Sequence, residues 1–243
     1  MNQNLPSLKD IGEGIVGAAS MALLLVFSPF LRSKMQRWGA TDEEASALLP
    51  ADGMITHPAM ESTRAITIEA PPRRVWAWLV QIGQGRAGFY SYDALENLLG
   101  MDIHSSDRIV PEFQRLRVGD TVPLWSGVGV SATAVVPPWV LVLSGAVHDA
   151  GTNGPSRRHE SAAQTGGTWV FLLEPLQGLN TRLIVRTRVA GFAPRWLCRL
   201  LLRLLEPVYF VMEHKMLLGL KHRAEQSRLE SSLPRLGGAL SQA

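Results

Sequence analysis

The sequence is short of the residues that most reaction classes need. It holds a single cysteine, Cys198. One thiol cannot form an internal disulfide, and a cysteine-based zinc site is excluded. Cys198 sits among leucines and reads as a small core residue. No G-x-S-x-G elbow surrounds Ser91, Ser105 or Ser106, so a serine nucleophile lacks its setting. No Walker A run is present, which removes the P-loop route to phosphoryl transfer. Charge is sparse too, at 19% of residues, with 24 Lys and Arg against 21 Asp and Glu. There is no dense basic run interleaved with aromatics, so the small positive excess is no nucleic-acid footprint. A weak attraction to anionic membrane surfaces is all it implies.

What is present is apolar. Of 243 residues 46% are hydrophobic, enough for one globular domain of ordinary size with something appended. From Gly14 to Leu31 no residue is charged, and Arg32, Lys34 and Arg37 follow at once. Three readings stand for residues 1–37. A membrane anchor through residues 14–31 suits the length and the flanking cations, which would hold the remaining domain in the cytoplasm, on the inner face of the cell membrane. An apolar helix docked on the domain or on a partner suits the same pattern. A signal peptide fits least, because Asp10 and Glu13 offset Lys9 and no A-x-A site follows. Residues 38–60 read as a connector. Thr41 and Glu44 in it have capping-box spacing, so a short helix starts there.

The stretch from Arg64 to Tyr92, RAITIEAPPRRVWAWLVQIGQGRAGFYSY, is the most informative. Ile66 and Ile68 alternate with polar residues as a strand does. Pro71 and Pro72 end it, and Pro72 suits the first turn of the helix that follows. Val75, Trp76, Leu79 and Val80 give that helix its apolar side, and Gly83 stops it. Gly83-Gln84-Gly85-Arg86-Ala87-Gly88 matches G-x-G-x-x-G, but it follows a helix and runs into aromatics, so the dinucleotide reading is rejected. A second short helix is expected over 91–100. Strands are expected over 121–124, 129–136, 139–144, 168–174 and 181–190, with a polar loop over 148–167 that carries His148 and His159. In the last strand Leu183, Val185, Thr187 and Val189 face one way, and Arg182, Arg186 and Arg188 the other. One wall is then apolar and the other wet. The final element is helical over 194–226, with Pro207 expected to kink or divide it. The tail over 228–243 is polar and expected to be disordered.

Strand, double proline, aromatic helix and Gly/Arg/Tyr turn together resemble the SRPBCC superfamily, the START-like and polyketide-cyclase-like helix-grip proteins. The resemblance is carried by AITIEAPPRRVWAWLVQIGQGRAGFYSYDALENLLGMDIHSSDRIVPEFQ, GDTVPL, TRLIVRTR and FVMEHKMLLGLKHRAE. It implies an α+β helix-grip domain over 61–227, in which a curved antiparallel sheet grips a long C-terminal helix around an apolar cavity.

The densest cluster of reactive side chains is Arg86, Tyr90, Tyr92, Asp93, Asn97, His104, Asp107 and Arg108. Functionally, tyrosine hydroxyls, a histidine and a carboxylate can orient a ligand or move protons, with His104, Asp107 and Tyr92 as the catalytic candidates. Structurally, the same residue types cap helices and close turns: Asp107 and Arg108 can pair, and Asp93 can cap. Phe210, Met212 and Met216 on the last helix suit a ligand wall or a packed core equally. His104 and Asp107 lack a third ligand at metal-site spacing, so neither metal nor cofactor is expected. Three functions remain open. The first is binding of an apolar small molecule such as a lipid, isoprenoid or polyketide. The second is a cyclase- or dehydratase-type enzyme using the Tyr/His/Asp cluster. The third is a membrane-associated interaction protein without ligand.

Overall fold

The computed structural model describes residues 8–98, 100–125, 127–148, 166–191 and 194–232. Helices α1 (Leu8–Gln36) and α2 (Asp42–Ser46) precede strand β1 (Met60–Ile68), then helices α3 (Pro72–Leu79) and α4 (Asp93–Leu98). Strands β2 (Thr121–Trp125), β3 (Val128–Val136), β4 (Val140–His148), β5 (Gly167–Leu176) and β6 (Asn180–Val189) lead to helix α5 (Arg195–Ser232). His159 and most of the expected polar loop and tail lie outside the described residues. The start of that expected tail is helical, because α5 runs to Ser232.

The sheet is antiparallel, in the order β1-β6-β5-β4-β3-β2. Five strands form a meander, and β1 closes beside β6 with Ile66 opposite Leu183. Register shifts between β3 and both its neighbours bend it. Its inner face presents Ile66, Ile68, Leu141, Phe171, Leu183 and Val185, which pack in one cluster with Met216, Leu217 and Leu220 of α5 and Leu79 of α3. The space between sheet and helix is thus filled with side chains at these positions. The chain has the α+β build of a bent sheet laid on a C-terminal helix.

The other face of the sheet is not wet. Arg186 of β6 is 1% exposed. It donates to Asp52 Oδ2 at 2.6 Å and to the carbonyls of Glu44, Ala45 and Ala47. Arg182 forks onto Glu44, with N–O distances of 2.7 and 2.8 Å. The connector is therefore clamped across the back of the sheet by the arginines that sequence alternation assigned to solvent. Alternation says which residues share a face, and leaves open what covers it. The capping box is in place: Thr41 Oγ1 accepts from the Glu44 N–H, and Glu44 accepts from the Thr41 N–H. The Ala65 N–H donates to Trp38 O, so the connector also covers the free edge of β1.

Helix α1 lies docked on the domain. Gly14, Gly17, Met21, Leu24, Leu31 and Met35 form its inward seam at three- and four-residue spacing. A Cβ at Gly17 would come within 3.1 Å of the Tyr92 ring, so glycine sets the approach. Glu206 of α5 receives Arg32 Nε at 2.8 Å and Gln36 Nε2 at 2.5 Å. Among the described residues no helix is long and apolar enough to cross a membrane. Pro207 does not divide α5, which continues through it. The carbonyl that loses its N–H partner belongs to Arg203, which faces water.

Candidate functional site

A cleft of about 610 Å³ opens between α1, α4 and the outer side of α5. It lies on the far side of α5 from the sheet. The Gly83–Gly88 hairpin leads into the Tyr90–Asp93 segment that lines it. Gly88 has φ of 70° and packs so closely that a Cβ would sit 2.7 Å from Ser105 Cα. That close approach and the positive φ account for glycine at position 88. Tyr90 follows in the left-handed region, with φ of 59°. Its N–H donates to Ser105 Oγ at 2.9 Å, and its hydroxyl donates to Trp78 O at 3.0 Å and accepts from Gln81. Burial pushes the Tyr90 hydroxyl well above its usual pKa, so it stays protonated. On the α5 side Gly219 meets Tyr90, where a Cβ would fall 2.2 Å from the Tyr90 carbonyl oxygen.

Tyr90, Tyr92, Asp93 and Asp107 all line this cleft. Asp93 accepts from the Ser105 N–H at 2.5 Å and from Ser105 Oγ at 2.6 Å. The Tyr92 ring lies 5.4 Å from the Lys215 ammonium. Asp107 pairs with Arg223 at 2.7 Å rather than with Arg108. His104 points elsewhere. Its side chain is 76% exposed and sits 3.3 Å from Asp102. Arg86 is turned inward, onto Val80 O at 2.7 Å and over the Phe113 ring. Asn97 ties down Ile103, accepting its N–H and donating to its carbonyl. Phe210 and Met212 are half-buried outside the cleft, and Met216 belongs to the core cluster. The Tyr/Asp members of the sequence cluster therefore converge, while His104, Arg86 and Asn97 do not join them.

The cleft's cations come from α5. Lys215, His222 and Arg223 line it with Leu218. Lys215 pairs with Glu13 at 2.8 Å, and both carboxylates opposed to these cations are partly or wholly exposed, 39% for Glu13 and 90% for Asp107. Lys215 and Arg223 are not among the candidate residues of the sequence analysis. Their signal was the spacing Lys215, Gly219, Arg223, one helix face with its middle position emptied for a close approach.

Two buried polar clusters lie outside the lining of the cleft. Glu96 is 4% exposed and accepts from the Ser91 hydroxyl, leaving Oε2 without a partner. Burial, with a smaller push from Asp93, raises its pKa to about 7. Between sheet and α5, Arg64 and Glu213 form an ion pair at 0% and 1% side-chain exposure. Glu213 also accepts from Trp169 Nε1 at 2.9 Å and from the Tyr209 hydroxyl at 2.6 Å, and Tyr209 in turn accepts from Thr187. His214 stacks on Phe210 and meets Trp38 edge to face, with its pKa lowered by burial and by Arg64. Among the described residues no three His, Cys, Asp or Glu side chains gather as a metal site needs.

No family model and no curated protein matches the chain. Solved structures with some likeness include the Mesorhizobium loti protein MLL2253, 14% identical over 72% of this chain and 100% of that one, with TM-score 0.39. CalU16 from Micromonospora echinospora is 15% identical over 73% and 94%, with TM-score 0.32. An HSP90 activator from Plasmodium falciparum is 13% identical over 56% and 78%, with TM-score 0.33. At such identities and scores the likenesses say nothing of ligand or activity.

Proposed function

We propose that the protein is a START-like small-molecule binder whose ligand is amphipathic and carries an anionic group. The observation that supports this is the cleft of about 610 Å³, which combines α5 cations with the faces of Tyr92, Trp78 and Leu218. Small-molecule sites begin near roughly 300 Å³ and join apolar walls to a few placed polar groups. Lys215 and Arg223 are held by carboxylates that water already reaches, so a ligand anion can take their place. A ligand acid of the lipid, isoprenoid or polyketide type has both the required charge and the required carbon. The cyclase-type reading is weaker, because its proton carrier, His104, stands outside the cleft on the surface.

The test is native mass spectrometry of the full chain, since Glu13 of α1 forms part of the wall. The probes are a medium-chain fatty acid and an aromatic carboxylic acid. The expected result is one-to-one binding by the native chain that is lost in Leu218→Trp, which fills the cleft from an exposed position. Binding of neither acid, or equal binding by Leu218→Trp, overturns the reading.

A further inference from the structure

Outside the cleft the largest unexplained feature is apolar surface. On α1, Leu23, Val26, Phe27 and Phe30 are exposed, Phe30 to 84%. On the first half of α5, Trp196, Leu200 and Leu204 are exposed, Trp196 to 67%. Arg32 and Gln36 join the end of α1 to Glu206, where this half of α5 ends, so the two apolar stretches meet at their near ends, Phe30 and Leu204 each standing two residues from this link. Single exposed apolar residues need no explanation, whereas a bordering set on two helices does.

Charge says what covers it. Residues 14–41 contain Arg32, Lys34 and Arg37 and no carboxylate, and residues 190–205 contain Arg195, Arg199 and Arg203 and no carboxylate. The three α5 arginines recur every fourth residue and are exposed, and among the described residues none of them is in an ion pair. The one acid at the junction, Glu206, is buried and already held by Arg32. We infer that this two-helix face seats on the anionic leaflet of a phospholipid bilayer. Apolar side chains enter the acyl boundary and the arginines of α5 reach lipid phosphates.

Each part of the face suits that partner. An apolar side flanked by cations is the pattern of helices lying in the membrane interface. Arginine stems can run along apolar surface while the guanidinium stays at headgroup level. Tryptophan favours the same depth, and Trp196 stands at the start of α5. The helix lies on the leaflet rather than through it, because its inward seam is already spent on the domain: Gly17 against Tyr92, Met35 buried, and Glu13 paired to Lys215. A second copy of the chain is a poorer occupant, since it would bring the same unpaired arginines towards each other. The cleft reading uses other residues, so the two stand or fall separately.

The test uses the full chain in flotation with vesicles of phosphatidylcholine alone and of phosphatidylcholine mixed with phosphatidylglycerol. The expected result is flotation with the anionic vesicles that fades as salt rises from about 0.05 to about 0.5 M. Combining Arg195→Gln, Arg199→Gln and Arg203→Gln weakens anionic-vesicle binding by about a hundredfold, taking each cation as about fivefold. Combining Val26→Ser, Phe30→Ser and Trp196→Ser abolishes flotation, while Leu218→Trp floats like the native chain. All these positions are exposed, so an unchanged thermal melt is expected to accompany the losses. The lipid and salt dependence of the native chain decides the matter even if a variant fails to fold. Absence of flotation overturns the inference, as does flotation indifferent to salt and to the arginines. Vesicle-bound protein that resists alkaline carbonate overturns it in favour of a spanning helix. A solution dimer that does not float and becomes monomeric with Trp196→Ser overturns it in favour of a second copy.

Discussion

Glu213→Leu removes the carboxylate on which α5 is pinned to the sheet. Glu213 is 1% exposed and receives Arg64, Trp169 Nε1 and the Tyr209 hydroxyl. Without it the Arg64 guanidinium stays at 0% exposure with no counter-charge. Breaking a buried pair in this way costs about 3–5 kcal/mol. Each neutral donor left without an acceptor adds about 1 kcal/mol or more, in part overlapping the first loss. The expected total is about 4–5 kcal/mol, a large share of the roughly 5–15 kcal/mol that holds a domain. The double variant Arg64→Met with Glu213→Leu removes the stranded charge and replaces it with packing. It is expected to cost at least about 2 kcal/mol less than the sum of the two single variants. The assay is urea unfolding of the full chain followed by far-UV circular dichroism, with the native chain and the three variants compared. A loss under about 1 kcal/mol for Glu213→Leu, or strict additivity of the double variant, would refute the reasoning.

Three further outcomes follow from the same structure. Glu96 has a folded pKa near 7 against an unfolded value near 4.5, so the folded state holds the extra proton between these values. Stability therefore falls as pH rises from about 4.5 to about 7, by an order of 3 kcal/mol, and Glu96→Gln flattens that slope; thermal melts across this range check it. Gly219→Ala gains about 1 kcal/mol of helix propensity, yet drives a Cβ to 2.2 Å from Tyr90 O, so a clear net fall in melting temperature is expected. Arg186→Leu removes one of the two arginines on Asp52, leaving Arg188 at 3.4 Å, and strips the carbonyls of Glu44, Ala45 and Ala47 of their donor, with an expected cost of about 3 kcal/mol by urea unfolding and faster proteolysis within residues 38–60. A cost near that of an ordinary surface change, within about 0.5 kcal/mol, would mean that the connector is not clamped.

The sequence by itself determined the local elements. Alternation at Ile66 and Ile68, the break at Pro71-Pro72, and the Thr41–Glu44 capping box each depend on neighbours within a few residues, and each is where the pattern placed it. Tertiary structure decided what covers each face. Arg186 reads as a solvent residue from its own strand, and only the connector folding over the sheet makes it a buried clamp. Residues 14–31 read from hydropathy as an anchor or as a docked helix, and Gly17 and Arg32 dock the helix on Tyr92 and Glu206. The reactive cluster divided for the same reason. Tyr92 and Asp107 meet cations from a helix more than a hundred residues onward, as the 116-residue separation of Asp107 and Arg223 shows. His104, a few residues away along the chain, turns out to water. Short-range patterning sets which way a side chain leaves its own element, and only the packing of distant elements sets what it meets.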